Sequence, residues 1–172
     1  EYGEYYQQLA SHGFVVAASH SGTSNASTIL ASVQEVLALN NNSFSPLFKK
    51  LETGTYGVIG KSLGGKAAGD AVLNPEGTGA IAVAMIGFAA PGVDEPALCA
   101  TSDSDVYQSN VLNGYDTATS DAIYAEATGL THMDLSHSVE IAELSTSFMR
   151  CYVRGDDDAC TYVQNVTGKD FW

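Results

Sequence analysis

The stretch that decides the fold is TYGVIGKSLGGKAAG, residues 55–69, in which a short apolar run meets a glycine-rich turn and then a helical pattern. Its letters GKS resemble the end of a phosphate-binding loop. That loop has the form G-x-x-x-x-G-K-S and needs glycine at position 55, which is Thr55. The apolar run also leads directly into Gly60, so no loop remains to wrap a phosphate. We therefore reject nucleotide binding at this turn.

The same letters fit a second motif, G-x-S-x-G, at every position. Gly60 and Gly64 stand two residues to either side of Ser62. This motif forms a sharp turn between a strand and a helix, and the turn exposes a nucleophilic serine. The start of the helix also brings backbone N–H groups close to any oxyanion that develops. The stretch therefore predicts a nucleophilic serine at position 62.

The rest of the chain alternates apolar runs with helical patterns, which indicates one α/β domain over residues 1–172 with a mostly parallel sheet of about five strands. The tail from Arg154 is polar and is expected to form a loop. The predicted strands are Phe14–Ser19, Thr55–Ile59, Ala80–Ile86, Ala97–Thr101 and Ala122–Thr128, and the predicted helices are Glu1–Ser11, Ala26–Leu39, Leu63–Leu73 and Leu135–Tyr152.

A serine nucleophile needs a histidine base. In α/β-hydrolases the order along the chain is serine, acid, histidine. Of the four histidines, only His132 and His137 follow Ser62. His132 comes directly after the last predicted strand, at the sheet edge where open α/β sheets keep their sites, whereas His137 falls within the following helix. We therefore favour His132. His20 follows the first predicted strand and is a candidate to line the cleft.

The acid that orients the histidine is expected after the strand Ala97–Thr101. Asp103 and Asp105 both lie there, in the segment TSDSDVY. Asp103 is nearer the end of the strand and Asp105 is further into the loop. Spacing alone leaves both residues open.

Composition narrows the classes of partner. The net charge is −13, with 20 acidic and 7 basic residues. The negative electrostatic field of such a protein repels nucleic acids and anionic membranes. A neutral or cationic substrate fits better. The apolar runs are too short to span a membrane. The histidine spacing matches no metal motif, so we expect neither a metal nor a cofactor.

The three cysteines separate into a pair and a single residue. Cys151 and Cys160 flank a short polar segment, which predicts a disulfide in a secreted protein. Cys99 lies in an apolar run and is expected to be a buried thiol.

Four segments, taken together, resemble a known family: LASHGFVV (9–16), YGVIGKSLGG (56–65), PALCATSDSD (96–105) and GLTH (129–132). The chain resembles the bacterial cutinase-like polyesterases, α/β-hydrolases that include PET-degrading enzymes. The resemblance implies a three-layer α/β sandwich, a secreted monomer and ester hydrolysis. It favours Asp105, nine residues after the proline that opens the strand, and it makes the N–H of Leu63 an oxyanion donor.

The chain also departs from the family pattern. The strands that precede LASHGFVV in the family, and that supply the second oxyanion donor, have no counterpart here. Lys61 stands where the family commonly has histidine or tryptophan, and Phe88 is the nearest aromatic residue to the position of the family's clamping tryptophan. Both are candidate substrate contacts. We therefore expect a serine carboxylic-ester hydrolase with polyester as a candidate substrate, and the alternative is an inactive or truncated hydrolase-like domain.

Overall fold

The computed structural model describes residues 3–18, 25–77 and 79–166, and a parallel sheet lies at their centre. The four strands are β1 Tyr56–Lys61, β2 Ala80–Ile86, β3 Ala97–Ser102 and β4 Ala122–Ala127, paired in that order. The helices are α1 Gly3–Ser11, α2 Ala26–Asn41, α3 Leu63–Val72, α4 Gln108–Thr117, α5 Val139–Arg154 and α6 Asp157–Val166, with a 3₁₀ turn at Asp134–Ser136. The predicted α/β class is confirmed.

Helices cover both faces of the sheet and give the three layers that the resemblance implied. The side chains of α1, α5 and α6 share one apolar core with residues of the strands. Those of α3 and α4 share a second core on the opposite face, and α2 packs against α3. The two central strands, β2 and β3, are therefore buried on both faces, which is why their sequences read as apolar runs rather than as an alternating pattern.

Much of the sheet is built from alanine. In β2, Ala82 and Ala84 face one core while Val83 and Met85 face the other. A small side chain lets a helix approach the sheet closely, and packing at this density leaves little free volume. The buried alanines of β2, β3 and β4 are Ala80, Ala82, Ala84, Ala97, Ala100, Ala125 and Ala127.

The prediction of a strand at Phe14–Ser19 is wrong for the part that the structure describes. Residues 14–18 form no strand, and Ser19 lies outside the described residues. A groove of about 650 Å³ separates these residues from β1. The two segments do not pair, so the sheet has four strands rather than five. Phe14 and Val16 are instead partly buried against the α1 and α5 side of the core, which explains their apolar pattern.

The C-terminal half differs from the prediction in three places. The predicted helix Leu135–Tyr152 is divided, because the Ser138 side chain accepts a hydrogen bond from Ile141 N and starts α5 at Val139. The tail expected to be a loop forms α6, which buries Ala159 and Val163. The sequence reasoning also missed α4. None of the described helices is both long and apolar enough to cross a membrane.

The predicted disulfide is present and joins α5 to α6 through Cys151 and Cys160. Cys99 is buried as a free thiol, as predicted, and burial raises its pKa to about 12. A thiol with so high a pKa stays protonated and exchanges poorly with disulfides. The disulfide is therefore the group on which a reductant acts.

We expect that reduction, or the double substitution Cys151→Ser and Cys160→Ser, lowers the free energy of unfolding by about 2–4 kcal/mol, because the cross-link restricts the unfolded chain. Denaturant titration with and without dithiothreitol measures this change. The double variant is its own control, since reductant should leave it unaffected. An equal response of both proteins to reductant would contradict the prediction.

Candidate functional site

Ser62 lies at the turn between β1 and α3, in a backbone conformation that residues other than glycine rarely adopt. Its φ is 57° and its ψ is −129°. The Ser62 N–H donates to Ile86 O at 2.7 Å, which ties the turn to the end of β2. A strained residue held in this way is typical of a functional site.

Two glycines make this turn possible. A Cβ at position 60 would lie 2.0 Å from Gly64 O, and a Cβ at position 65 would lie 2.3 Å from Phe88 O. Both contacts are with backbone atoms that cannot move aside. Gly60 and Gly65 are therefore required because the backbone of a neighbouring residue lies too close for a side chain.

Three side chains from different loops meet beside this turn. Ser62 Oγ lies 2.9 Å from His132 Nε2. His132 Nδ1 lies 3.0 Å from Asp105 Oδ1 and 3.1 Å from Asp105 Oδ2. Each residue follows the carboxyl end of a strand: Ser62 follows β1, Asp105 follows β3 and His132 follows β4. These distances are within hydrogen-bond range.

Asp105 is the most enclosed member of the group. Its side chain has no exposed surface, while that of His132 is 16% exposed. The carboxylate accepts hydrogen bonds from Thr101 Oγ1 at 3.2 Å and from the Tyr107 N–H at 2.9 Å. A buried carboxylate is costly unless it is hydrogen-bonded, so these donors offset the cost of burying it.

The other residues considered for the histidine and acid positions lie elsewhere. Asp103 Oδ1 accepts from the Gly129 N–H at 2.7 Å. His137 Nδ1 lies 3.9 Å from Glu4 Oε2, and its side chain is 64% exposed. His12 lies just after α1. His20 is outside the described residues.

Gly87 is a site residue that the sequence reasoning missed. It follows β2 with φ of 67°, and a Cβ there would lie 3.0 Å from His132 Cε1 and 3.2 Å from Asp105 Oδ2. His132 and Asp105 therefore pack directly against the backbone of Gly87, where a side chain would not fit without displacing them. A glycine directly after a buried strand, flanked by other strand ends, is a signal that could have identified it.

Exposed apolar residues flank the three residues in sequence, and we call Leu63, Val106, Tyr107 and Met133 the apolar collar. Each is next to one of the three residues in sequence or one position further. Their exposed fractions are 67% for Leu63, 79% for Val106, 42% for Tyr107 and 67% for Met133. Exposed apolar residues at adjacent positions make this part of the surface a candidate for substrate contact.

Two aromatic rings, those of Tyr107 and Phe88, lie in series next to the His132 ring. The ring of Tyr107 meets the imidazole of His132 edge-on, with centroids 5.0 Å apart, and meets the half-buried Phe88 ring at 5.2 Å. Phe88 therefore borders the site rather than filling the core. Lys61 is the last residue of β1 and lines the groove beside it.

Leu63 is the first residue of α3, directly after Ser62. Backbone N–H groups in the first turn of a helix have no partner within the helix, so they can stabilise a negative charge. The sequence offers the segment SHSGT (19–23) as a candidate source of a second oxyanion donor, and this segment lies outside the described residues. Within the described ranges, no cluster of three histidine, cysteine, aspartate or glutamate side chains could hold a metal ion.

Comparisons with known proteins agree with this architecture. The model of the family described as PET hydrolase-like matches residues 4–169, nearly the whole chain. No match is found among curated proteins. The matched range includes the whole sheet, the turn at Ser62 and the loops that carry Asp105 and His132. The chain belongs to the PET hydrolase-like family of hydrolases.

Proposed function

We propose that this chain is a secreted serine carboxylic-ester hydrolase that acts through Ser62, His132 and Asp105. The observation that carries the proposal is the continuous series of contacts from Ser62 Oγ through the His132 ring to the buried Asp105 carboxylate. Family membership supports a hydrolase, and the disulfide fits an oxidising compartment.

The proposed reaction has two halves. Ser62 Oγ attacks the ester carbonyl carbon while His132 Nε2 takes the hydroxyl proton, and the imidazolium then gives that proton to the leaving alcohol. Water attacks the resulting acyl-enzyme by the same route, and the carboxylic acid is released. The Asp105 carboxylate accepts from His132 Nδ1–H, which fixes the tautomer and stabilises the cation. The Leu63 N–H is the proposed donor to the oxyanion.

The surface supports an apolar, uncharged ester, and polyester is the class that we propose. The apolar collar and Phe88 offer aromatic and aliphatic contacts around Ser62. The net charge of −13 disfavours anionic substrates and favours departure of a carboxylate product. The same charge argues against nucleic acid or an anionic membrane as a partner, and we propose a monomer that needs no cofactor.

The first test asks whether Ser62 is the nucleophile, by mutant kinetics and by covalent labelling. We expect Ser62→Ala to reduce hydrolysis of a short p-nitrophenyl ester by at least about a thousand-fold, and Asp105→Asn by about ten thousand-fold, because each removes part of one catalytic unit. A serine-directed phosphonate should label the unsubstituted protein stoichiometrically at Ser62, as mass spectrometry would show.

A folded protein that neither turns over the ester nor reacts with the phosphonate would contradict the proposal and favour an inactive hydrolase-like domain. Equal activity in Ser62→Ala would exclude Ser62 as the nucleophile. Circular dichroism of each variant establishes that it is folded.

The second test concerns the contact below the histidine. We expect Gly87→Ala to lower kcat by about ten- to a hundred-fold, because the added methyl group displaces His132 and Asp105 from their alignment. Gly92→Ala is the matched control: its φ of 72° is similar, but nothing lies within 4 Å of a Cβ there. Equal effects of the two substitutions would attribute the loss to backbone strain alone.

The third test separates polymer binding from chemistry. We expect Val106→Thr combined with Met133→Gln to lower the release of acid from a polyester film about five- to thirty-fold, because apolar contact worth about 1–2 kcal/mol is lost. Turnover of a soluble short ester should change less than about two-fold. Phe44→Ser is the control, since Phe44 is 96% exposed in the loop after α2. A loss on both substrates would contradict a specific role in polymer binding.

A further inference from the structure

The loop that carries Asp105 and the loop that carries His132 are joined by a pair of hydrogen bonds outside the catalytic contact. Ser102 Oγ donates to Leu130 O, and Asp103 Oδ1 accepts from the Gly129 N–H at 2.7 Å. We call these two bonds the Ser102–Asp103 clasp. One clasp residue ends β3 and the other follows it, and both bonds end on the backbone of the histidine loop.

The clasp lies at the point where the sheet stops holding these two loops together. The pairing of β3 with β4 ends at Ser102 and Ala127, and a last backbone bond runs from Asp103 N to Ala127 O at 3.0 Å. Beyond this point the two loops are no longer paired as strands. The distance between Asp105 and His132 then depends on bonds made by the loops themselves.

Each half of the clasp is close in sequence to a member of the proposed catalytic pair. Asp103 is two residues before Asp105, and Leu130 is two residues before His132. The clasp and the His132–Asp105 contact therefore bridge the same two loops in neighbouring positions. Gly129 turns the histidine loop with φ of 74°, which directs its N–H to the carboxylate.

Burial distinguishes the two bonds. Ser102 has no exposed surface, whereas Asp103 is exposed. The Asp103 carboxylate also accepts from Ser104 Oγ at 3.1 Å, whereas the carboxylate at His132 Nδ1 is that of Asp105. The contribution of Asp103 is therefore an acceptor in a fixed position, which asparagine can also supply. A catalytic acid could not be replaced in this way.

The far side of the histidine loop is held independently. Asp134 Oδ2 accepts from the Thr131 N–H at 2.8 Å and from Thr131 Oγ1 at 2.6 Å, which closes a turn around His132. These bonds lie within the loop and do not reach β3. Besides the His132–Asp105 contact and the ring contact of Tyr107 with His132, the two clasp bonds tie the histidine loop to the acid loop.

We propose that Ser102 and Asp103 are positioning residues, which hold His132 at hydrogen-bond distance from Asp105 through the backbone of Gly129 and Leu130. The inference rests on the proposed ester hydrolysis. It assigns the acidic residue nearer the strand a role distinct from that of Asp105.

The kinetic test asks whether position 103 needs a hydrogen-bond acceptor or a negative charge. On a soluble p-nitrophenyl ester, Asp103→Ala is expected to lower kcat about ten-fold with KM within about two-fold, because the catalytic pair loses alignment while substrate contacts remain. Asp103→Asn should stay within about two-fold of the unsubstituted protein, because its carbonyl oxygen replaces the acceptor. Ser102→Ala is a second variant that should lower kcat by a similar factor.

Asp94→Ala is the matched control, since it removes the same charge from an exposed position before β3 and should have no effect. Wild-type kcat in both Asp103→Ala and Ser102→Ala would overturn the inference. Equal losses in Asp103→Asn and Asp103→Ala would also overturn it, because charge rather than an acceptor would then be needed.

A second measurement does not depend on turnover. The proton between His132 Nδ1 and Asp105 gives a low-field NMR resonance, which should persist in Asp103→Asn and broaden or disappear in Asp103→Ala. If the unsubstituted protein neither hydrolyses esters nor reacts with a phosphonate, the proposed function fails while this resonance still tests the clasp. An unchanged resonance in folded Asp103→Ala would overturn the inference.

Discussion

Parallel pairing of four consecutive strands is the constraint on which the site depends. The strands pair in chain order, so their carboxyl ends lie along one edge of the sheet. Ser62, Gly87, Asp105 and His132 each follow a different strand along that edge. No local segment brings these residues together. A change in the register of any strand pair would move one of the four relative to the others, and the contacts among them would be lost.

The turn at Ser62 shows how far a sequence pattern can be taken. Glycine spacing and the change from strand to helix predicted the turn, and the contacts at Gly60 and Gly65 give the physical reason for those glycines. His132 could be favoured because it follows the last strand. The choice between Asp103 and Asp105 needed a family resemblance, because two loop aspartates two residues apart differ only in where the loop directs them.

The failures of prediction have physical causes. An apolar run such as Phe14–Ser19 has the composition of a strand, but a strand exists only with a hydrogen-bonded neighbour, and composition does not show whether one is present. Gly87 was missed because it carries no chemical group of its own: it contributes only by leaving space for the His132 ring. The helix α6 was missed because its polar residues conceal two buried positions, Ala159 and Val163.

The alanine content of the strands has a consequence for how this chain can vary. A larger side chain in β2 or β3 would push a helix away from the sheet, and overpacking of this kind costs about 1–3 kcal/mol. Substitution of these alanines by larger residues is therefore expected to be poorly tolerated. The apolar collar, by contrast, is exposed: Leu63 begins α3, and the other three collar residues lie in loops. The substrate contacts that we propose and the packed core therefore lie in separate parts of the chain, so the collar can change in sequence while the core stays intact.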